Sequence, residues 1–145
     1  MSSSCLVRAI EIAKNAHAGQ LDKAGRPYIF HSIRVMRRVR SEFEQMVAVL
    51  HDVVEDTSVT LDDLKREGFP PEVVRAIEAL TKRPGETRLE AARRAAADPL
   101  ARTVKLADNA DNMDLSRIPN PTAKDYERLR EYEQVRAILM AAESN

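Results

Sequence analysis

Residues 43–54 read FEQMVAVLHDVV, and the next two are Glu55 and Asp56. The run from Met46 to Leu50 is apolar without interruption, so the stretch predicts a helix buried on all sides at the centre of the fold. It is far too short to cross a membrane. The apolar character breaks at His51-Asp52 and again at Glu55-Asp56. Glu55 follows His51 by four residues and Asp56 follows Asp52 by four, so helical geometry gathers all four groups at one end of one helix. Burying such charge is costly unless it is paired or bound to a metal. Acids at a helix C-terminus also oppose the macrodipole. The pattern therefore points to an ion-pair partner or a metal. The plain alternative is a solvated last turn with a capping role.

Helical signals continue on both sides. Residues 6–18 carry apolar side chains at helical spacing and end at Gly19, a plausible C-cap. Residues 20–27 form a polar segment with turn chemistry at Gly25 and Pro27. A helix restarts over about 28–40. Thr60 reads as an N-cap followed by acids, and that helix stops at Gly68. Pro70 or Pro71 opens another, reaching about residue 81. A basic loop covers 82–87, an Ala- and Arg-rich helix 88–97, and Pro99 opens the next. Residues 116–121 are a loop with two prolines, and a last long helix runs from 122 to about 143. No alternating run competes as a strand. The expectation is an all-α fold of about eight helices in one domain over residues 1–145.

Composition agrees. The chain has 145 residues, 43% hydrophobic and 32% charged, which suits a folded globule rather than disorder. Six aromatic residues and no Trp leave the core to Leu, Ile, Val, Ala and Met. Twenty-three basic and 23 acidic residues balance, which argues against an electrostatic nucleic-acid binder but leaves room for local basic pockets. Cys5, the one cysteine, allows no intramolecular disulfide. Met1 to Cys5 shows neither a basic nor an apolar leader region, so no membrane association and a cytoplasmic location are expected.

A second polar cluster lies at Lys105-Leu-Ala-Asp108-Asn-Ala-Asp111-Asn112. Asp108 and Asn112 share a helix face, while Leu106, Ala107 and Ala110 are left to pack; an exposed polar stripe is the alternative. His17 reads as a structural histidine.

The residues now spell a resemblance. His31, then His51-Asp52 after 20 residues, then Asp108 after a further 56, gives the H…HD…D order of HD-domain metal phosphohydrolases. The words AHAGQLDKAGRPYIFHSIRV (16–35), AVLHDVVEDT (48–57), LTKRPGET (80–87) and VKLADNADNM (104–113) resemble the hydrolase domain of RelA/SpoT proteins. The similarity runs in order from about residue 8 to about residue 140. It implies an HD-domain helical bundle and a stand-alone small alarmone hydrolase of the SpoT-homologue type. Ser32 stands where that family usually has Pro.

Residue by residue, the resemblance implies that His31, His51, Asp52 and Asp108 hold one metal ion, usually Mn²⁺. Two imidazoles and two carboxylates also suit other divalent ions. Glu55 and Asp56 match the acidic pair that orients or deprotonates the attacking water and manages the proton of the leaving oxygen. Asn112 matches a contact to the ribose-phosphate region, Lys23 a basic position near guanine and its sugar, and Arg128 with Tyr132 a substrate-contacting pair. The implied reaction is metal-assisted hydrolysis of the 3′-pyrophosphate of ppGpp or pppGpp to GDP or GTP. Three alternatives stay open. One is the same class acting on another nucleotide, such as the 2′-phosphate of NADPH or a nucleoside monophosphate. The others are a non-enzymatic nucleotide sensor and a purely structural helical protein. Nothing in the sequence sets an oligomeric state.

Overall fold

The computed structural model describes residues 2–144; Met1, at the head of the segment read above for a leader, lies outside them. Among the described residues nine α-helical segments follow one another: α1 (Ser2–Ala16), α2 (Ile29–Arg37), α3 (Glu42–Leu50), α4 (Val53–Asp56), α5 (Leu61–Arg66), α6 (Pro71–Leu80), α7 (Arg88–Ala96), α8 (Pro99–Met113) and α9 (Ala123–Ser144). A 3₁₀ turn at Leu115–Arg117 joins the last two. The described residues hold no strand, only an isolated antiparallel bridge between Leu21 and Pro27. The all-α expectation stands.

Local chemistry explains the boundaries. Ser41, Thr60 and Thr87 each accept a hydrogen bond from the backbone three residues on, and Glu44, Asp63 and Glu90 return it, forming three capping boxes. Asp98 caps α8 through the amides of Leu100 and Ala101, with Pro99 at the first helical position. Past α1 and α5 the chain turns at Gly19 and Gly68, both at φ +86°, where a side chain would be strained.

The helix expected over 43–54 is divided, and this raises the number of helical segments. The ring Nδ1 of His51 lies 2.6 Å from the Ala48 carbonyl. A continuous helix would offer that carbonyl to the amide of Asp52. At Asp52 the backbone opens to φ −103°, ψ −2°, and α4 starts after it. The polar pair that interrupts the apolar pattern therefore also interrupts the helix.

Met46, Val47, Ala48, Val49 and Leu50 are all buried, so the second half of α3 has no solvent face, while Phe43 in its first turn is exposed. It packs against α1, α2, α6 and α8. A second apolar cluster, with Ala92, Ala96, Val135 and Leu139, joins α7 to α9. Met46→Ala is expected to cost about 2–5 kcal/mol of stability in a urea unfolding titration, the usual range for emptying a buried Met site. A loss well below that range would mean that α3 is not the packed centre.

Candidate active site

The break after α3, the middle of α8 and the first turn of α2 meet at one point. This brings His31, His51, Asp52 and Asp108 together, with one donor atom from each lying within 4.8 Å of the others. Asp108 Oδ1 is 2.9 Å from His31 Nε2 and 3.2 Å from His51 Nε2. Asp52 Oδ2 is 2.9 Å from His51 Nε2 and 3.9 Å from His31 Nε2.

The outer nitrogens show how the rings are set. His31 Nδ1 lies 2.7 Å from Asp111 Oδ2, and His51 Nδ1 faces the Ala48 carbonyl. Both outer partners are pure acceptors, so each Nδ1 carries hydrogen and each neutral ring aims its Nε2 lone pair inward. Two lone pairs then meet two carboxylates in a buried space, which demands a positive charge. Without a metal, protons supply it. Burial opposes a charged imidazole, yet the bonds from Asp108 and Asp111 raise His31 above the ordinary histidine value. Asp52 and Asp108 raise His51 further, against a still stronger burial effect. Burial likewise opposes ionised Asp108, but Lys105 and the two histidines hold its carboxyl well below the usual range. This donor set fits a divalent cation.

Supporting groups surround the cluster. Lys105 Nζ donates to Asp108 Oδ2 at 3.0 Å, leaving Oδ1 to the histidines. Asn112 Nδ2 donates to that Oδ1 at 3.1 Å. Tyr28 donates its hydroxyl to Asp52 Oδ2. Glu55 Oε1 accepts from the Lys82 amide at 2.7 Å, which ties the acid to the basic loop. The Asp56 carboxyl is open to solvent on one side, but partial burial, then the charges of Asp52 and Glu55, push it up to about 6. His17 is buried against Tyr28, with ring centroids 5.0 Å apart, and its Nδ1 is 2.8 Å from Gln20 Oε1. Gln20 in turn donates to the Asp56 carbonyl. His17 is thus a buttress outside the donor cluster, as its structural reading expected.

The cluster opens into a cavity of about 500 Å³. All ten residues singled out from the sequence line it: Lys23, His31, His51, Asp52, Glu55, Asp56, Asp108, Asn112, Arg128 and Tyr132. Around Tyr132 the wall is basic. Lys23 Nζ donates to its hydroxyl at 3.3 Å, and the Arg88 guanidinium lies 4.8 Å from its ring centroid. Arg128 donates to the buried Asp125, while its Nε is buried without a hydrogen-bond partner among the described residues.

Sequence reasoning gave no role to Tyr28, Arg34, Lys105 or Asp111. Each stands three residues from a member of the cluster: Tyr28 and Arg34 flank His31, and Lys105 and Asp111 flank Asp108. That spacing puts each on the same helix face as the cluster residue or at its edge, and was the available signal.

Fold and site together define a class: all-α proteins that gather two histidines and two aspartates, in the order H…HD…D, around a divalent-cation position. A family model described as HD domain matches residues 9–128. The mouse guanosine-3′,5′-bis(diphosphate) 3′-pyrophosphohydrolase MESH1 is 36% identical over 88% of this chain and 78% of its own. A probable GTP pyrophosphokinase of Mycobacterium leprae is 35% identical over 94% of this chain, which spans 19% of that longer protein. A solved structure described as a metazoan ortholog of SpoT that hydrolyses ppGpp superposes with a TM-score of 0.77 and 27% identity, over 96% of this chain and 85% of that one. The chain belongs to the HD-domain family, in the group that contains the mouse protein and the SpoT orthologs.

Proposed function

We propose that this chain is a divalent-metal-dependent 3′-pyrophosphohydrolase of ppGpp and pppGpp, one HD-type domain over residues 1–145, with Mn²⁺ as its ion and the cytoplasm as its location. One observation carries the reading: a buried two-His, two-Asp cluster, an acidic pair beside it and a basic, tyrosine-backed wall share one cavity. The kinship to the mouse pyrophosphohydrolase and the SpoT ortholog supports the substrate. Location rests on the single cysteine and on the finding that no described helix is long and apolar enough to cross a membrane.

His31, His51, Asp52 and Asp108 would hold the ion, which when bound supplies Lewis-acid activation of water and offsets phosphoryl charge. Glu55 orients the attacking water and takes its proton. Attack on the 3′ α-phosphorus breaks its bond to the ribose 3′-oxygen. Asp56, protonatable near pH 6, supplies the proton that oxygen needs. The attacked phosphorus departs within pyrophosphate, leaving GDP or GTP. Lys23, Arg128 and Tyr132 grip the remainder of the nucleotide, and Asn112 sits at the junction beside Asp108. Local positive charge in a protein of zero net charge is enough to hold a polyanion there.

The test uses metal-free protein and ppGpp, with and without Mn²⁺. Mn²⁺-dependent release of pyrophosphate, with one GDP for each, is the expected result. No release in either condition overturns the alarmone reading; NADPH and nucleoside monophosphates then become the substrates to try. Binding of ppGpp without turnover points instead to a sensor.

A further inference from the structure

The two histidines of the cluster are held from behind in different ways. Behind His51 stands a neutral main-chain acceptor, the Ala48 carbonyl. Behind His31 stands a charged side chain, Asp111, which is 1% exposed and whose Oδ2 lies 2.7 Å from Nδ1. That contact is on the side of the ring away from Asp52 and Asp108, so Asp111 is not part of the donor set. Asp111 is gripped in turn. Arg34 donates from Nε to Oδ1 at 2.9 Å and from Nη2 to Oδ2 at 3.1 Å. Arg117 reaches Oδ1 at 3.4 Å and donates to the Asp111 carbonyl at 3.1 Å. The carboxylate is therefore charge-balanced and cannot rotate away without breaking a two-point guanidinium contact.

We propose that Asp111 is the positioning residue for His31, and that the chain Arg34–Asp111–His31 sets the affinity of the site for a divalent ion. The acceptor behind Nδ1 keeps hydrogen on that nitrogen, so Nε2 presents its lone pair to the cluster. A charged acceptor also makes the ring a stronger donor than a neutral one does. Arg34 sits one turn beyond His31 on α2, and Asp111 one turn beyond Asp108 on α8. The clamp thus fixes the spacing between the two helices that supply those ligands, as well as the ring itself. An ionised carboxylate in that position costs little because three guanidinium groups face it, those of Arg34, Arg117 and, at 3.9 Å, Arg38.

The inference rests on the metal reading of the cluster, and the experiment separates the two. Metal-free wild type, Asp111→Asn and Asp111→Ala are titrated with Mn²⁺ by calorimetry, while imidazole ¹⁵N shifts of the metal-free proteins, taken at alkaline pH where both rings are neutral, report the tautomer of His31. Far-UV circular dichroism checks the fold. Both variants should bind Mn²⁺ about 10–100-fold more weakly, the usual effect of losing the partner behind a histidine ligand. In Asp111→Ala, which removes the acceptor, His31 should lose its single tautomer while His51 keeps its own. Wild-type affinity in folded variants, or an unchanged His31 tautomer in Asp111→Ala, overturns the proposal. If removing Asp111 leaves Arg34 unpaired and the protein unfolded, the double variant Arg34→Leu/Asp111→Asn removes both charges together; wild-type affinity there overturns it equally. Wild type that binds no Mn²⁺ overturns the metal reading and this inference with it.

Discussion

Asp52→Ala is expected to abolish pyrophosphate release from ppGpp, by about 10³-fold or more, and to leave the helices in place. The size follows from what an ion does in such a site: several kcal/mol of transition-state stabilisation corresponds to a thousandfold or more in rate. Asp52 Oδ2 is one of four convergent donor atoms and lies 2.9 Å from His51 Nε2. Its loss leaves two imidazoles and one carboxylate, and it frees the Tyr28 hydroxyl that Asp52 had engaged. The fold should tolerate this because Asp52 stands at the break between α3 and α4, outside the apolar cluster built on Met46 to Leu50. Two measurements check the claim together. Chelation of wild type should reproduce the loss, and added Mn²⁺ should restore wild type but not the variant. Near-normal turnover by metal-stripped Asp52→Ala protein would defeat the assignment of these four residues as ligands.

What could be read ahead of the structure was whatever repeats with helical period or carries its own local chemistry. The apolar run of α3, the cap at Thr60, the opening proline Pro99 and the glycine stops at Gly19 and Gly68 are of this kind, since each depends only on neighbours in sequence. The division of α3 from α4 was not legible, because it arises from the His51 ring competing for the Ala48 carbonyl. Periodicity registers apolar spacing and is blind to a side chain that takes a main-chain acceptor. The ten candidate residues converge on one cavity because a family resemblance had already related distant positions; spacing alone joined only those within one helix. What surrounds the four-residue cluster stayed hidden for a different reason. Arg34 with Asp111 spans 77 residues, and Lys23 with Tyr132 spans 109, so neither pair shares a local pattern. The three-residue steps Tyr28–His31–Arg34 and Lys105–Asp108–Asp111 were in plain view. They acquire meaning only once His31 and Asp108 are placed against each other.

The proposed roles separate holding the ion from acting on water, and Glu55→Gln is the substitution that tests the separation. Glu55 lies outside the four-donor cluster, and its Oε1 is anchored by the Lys82 amide at 2.7 Å. Glutamine keeps that acceptor and the side-chain length but can neither take a proton nor carry charge. General-base assistance is worth about 10²–10⁴-fold, so kcat should fall by that much. KM for ppGpp should change far less, because the basic wall around Tyr132 is untouched, and Mn²⁺ affinity should stay at the wild-type value. A rise in KM with kcat preserved would move Glu55 from water chemistry to substrate binding. Weakened Mn²⁺ binding would instead enlist it in the ion site. The Lys82 anchor explains why the acid can be held in place without a contact to the donor cluster. It is fixed from the loop side, and that leaves its other oxygen for the water that the proposed reaction requires.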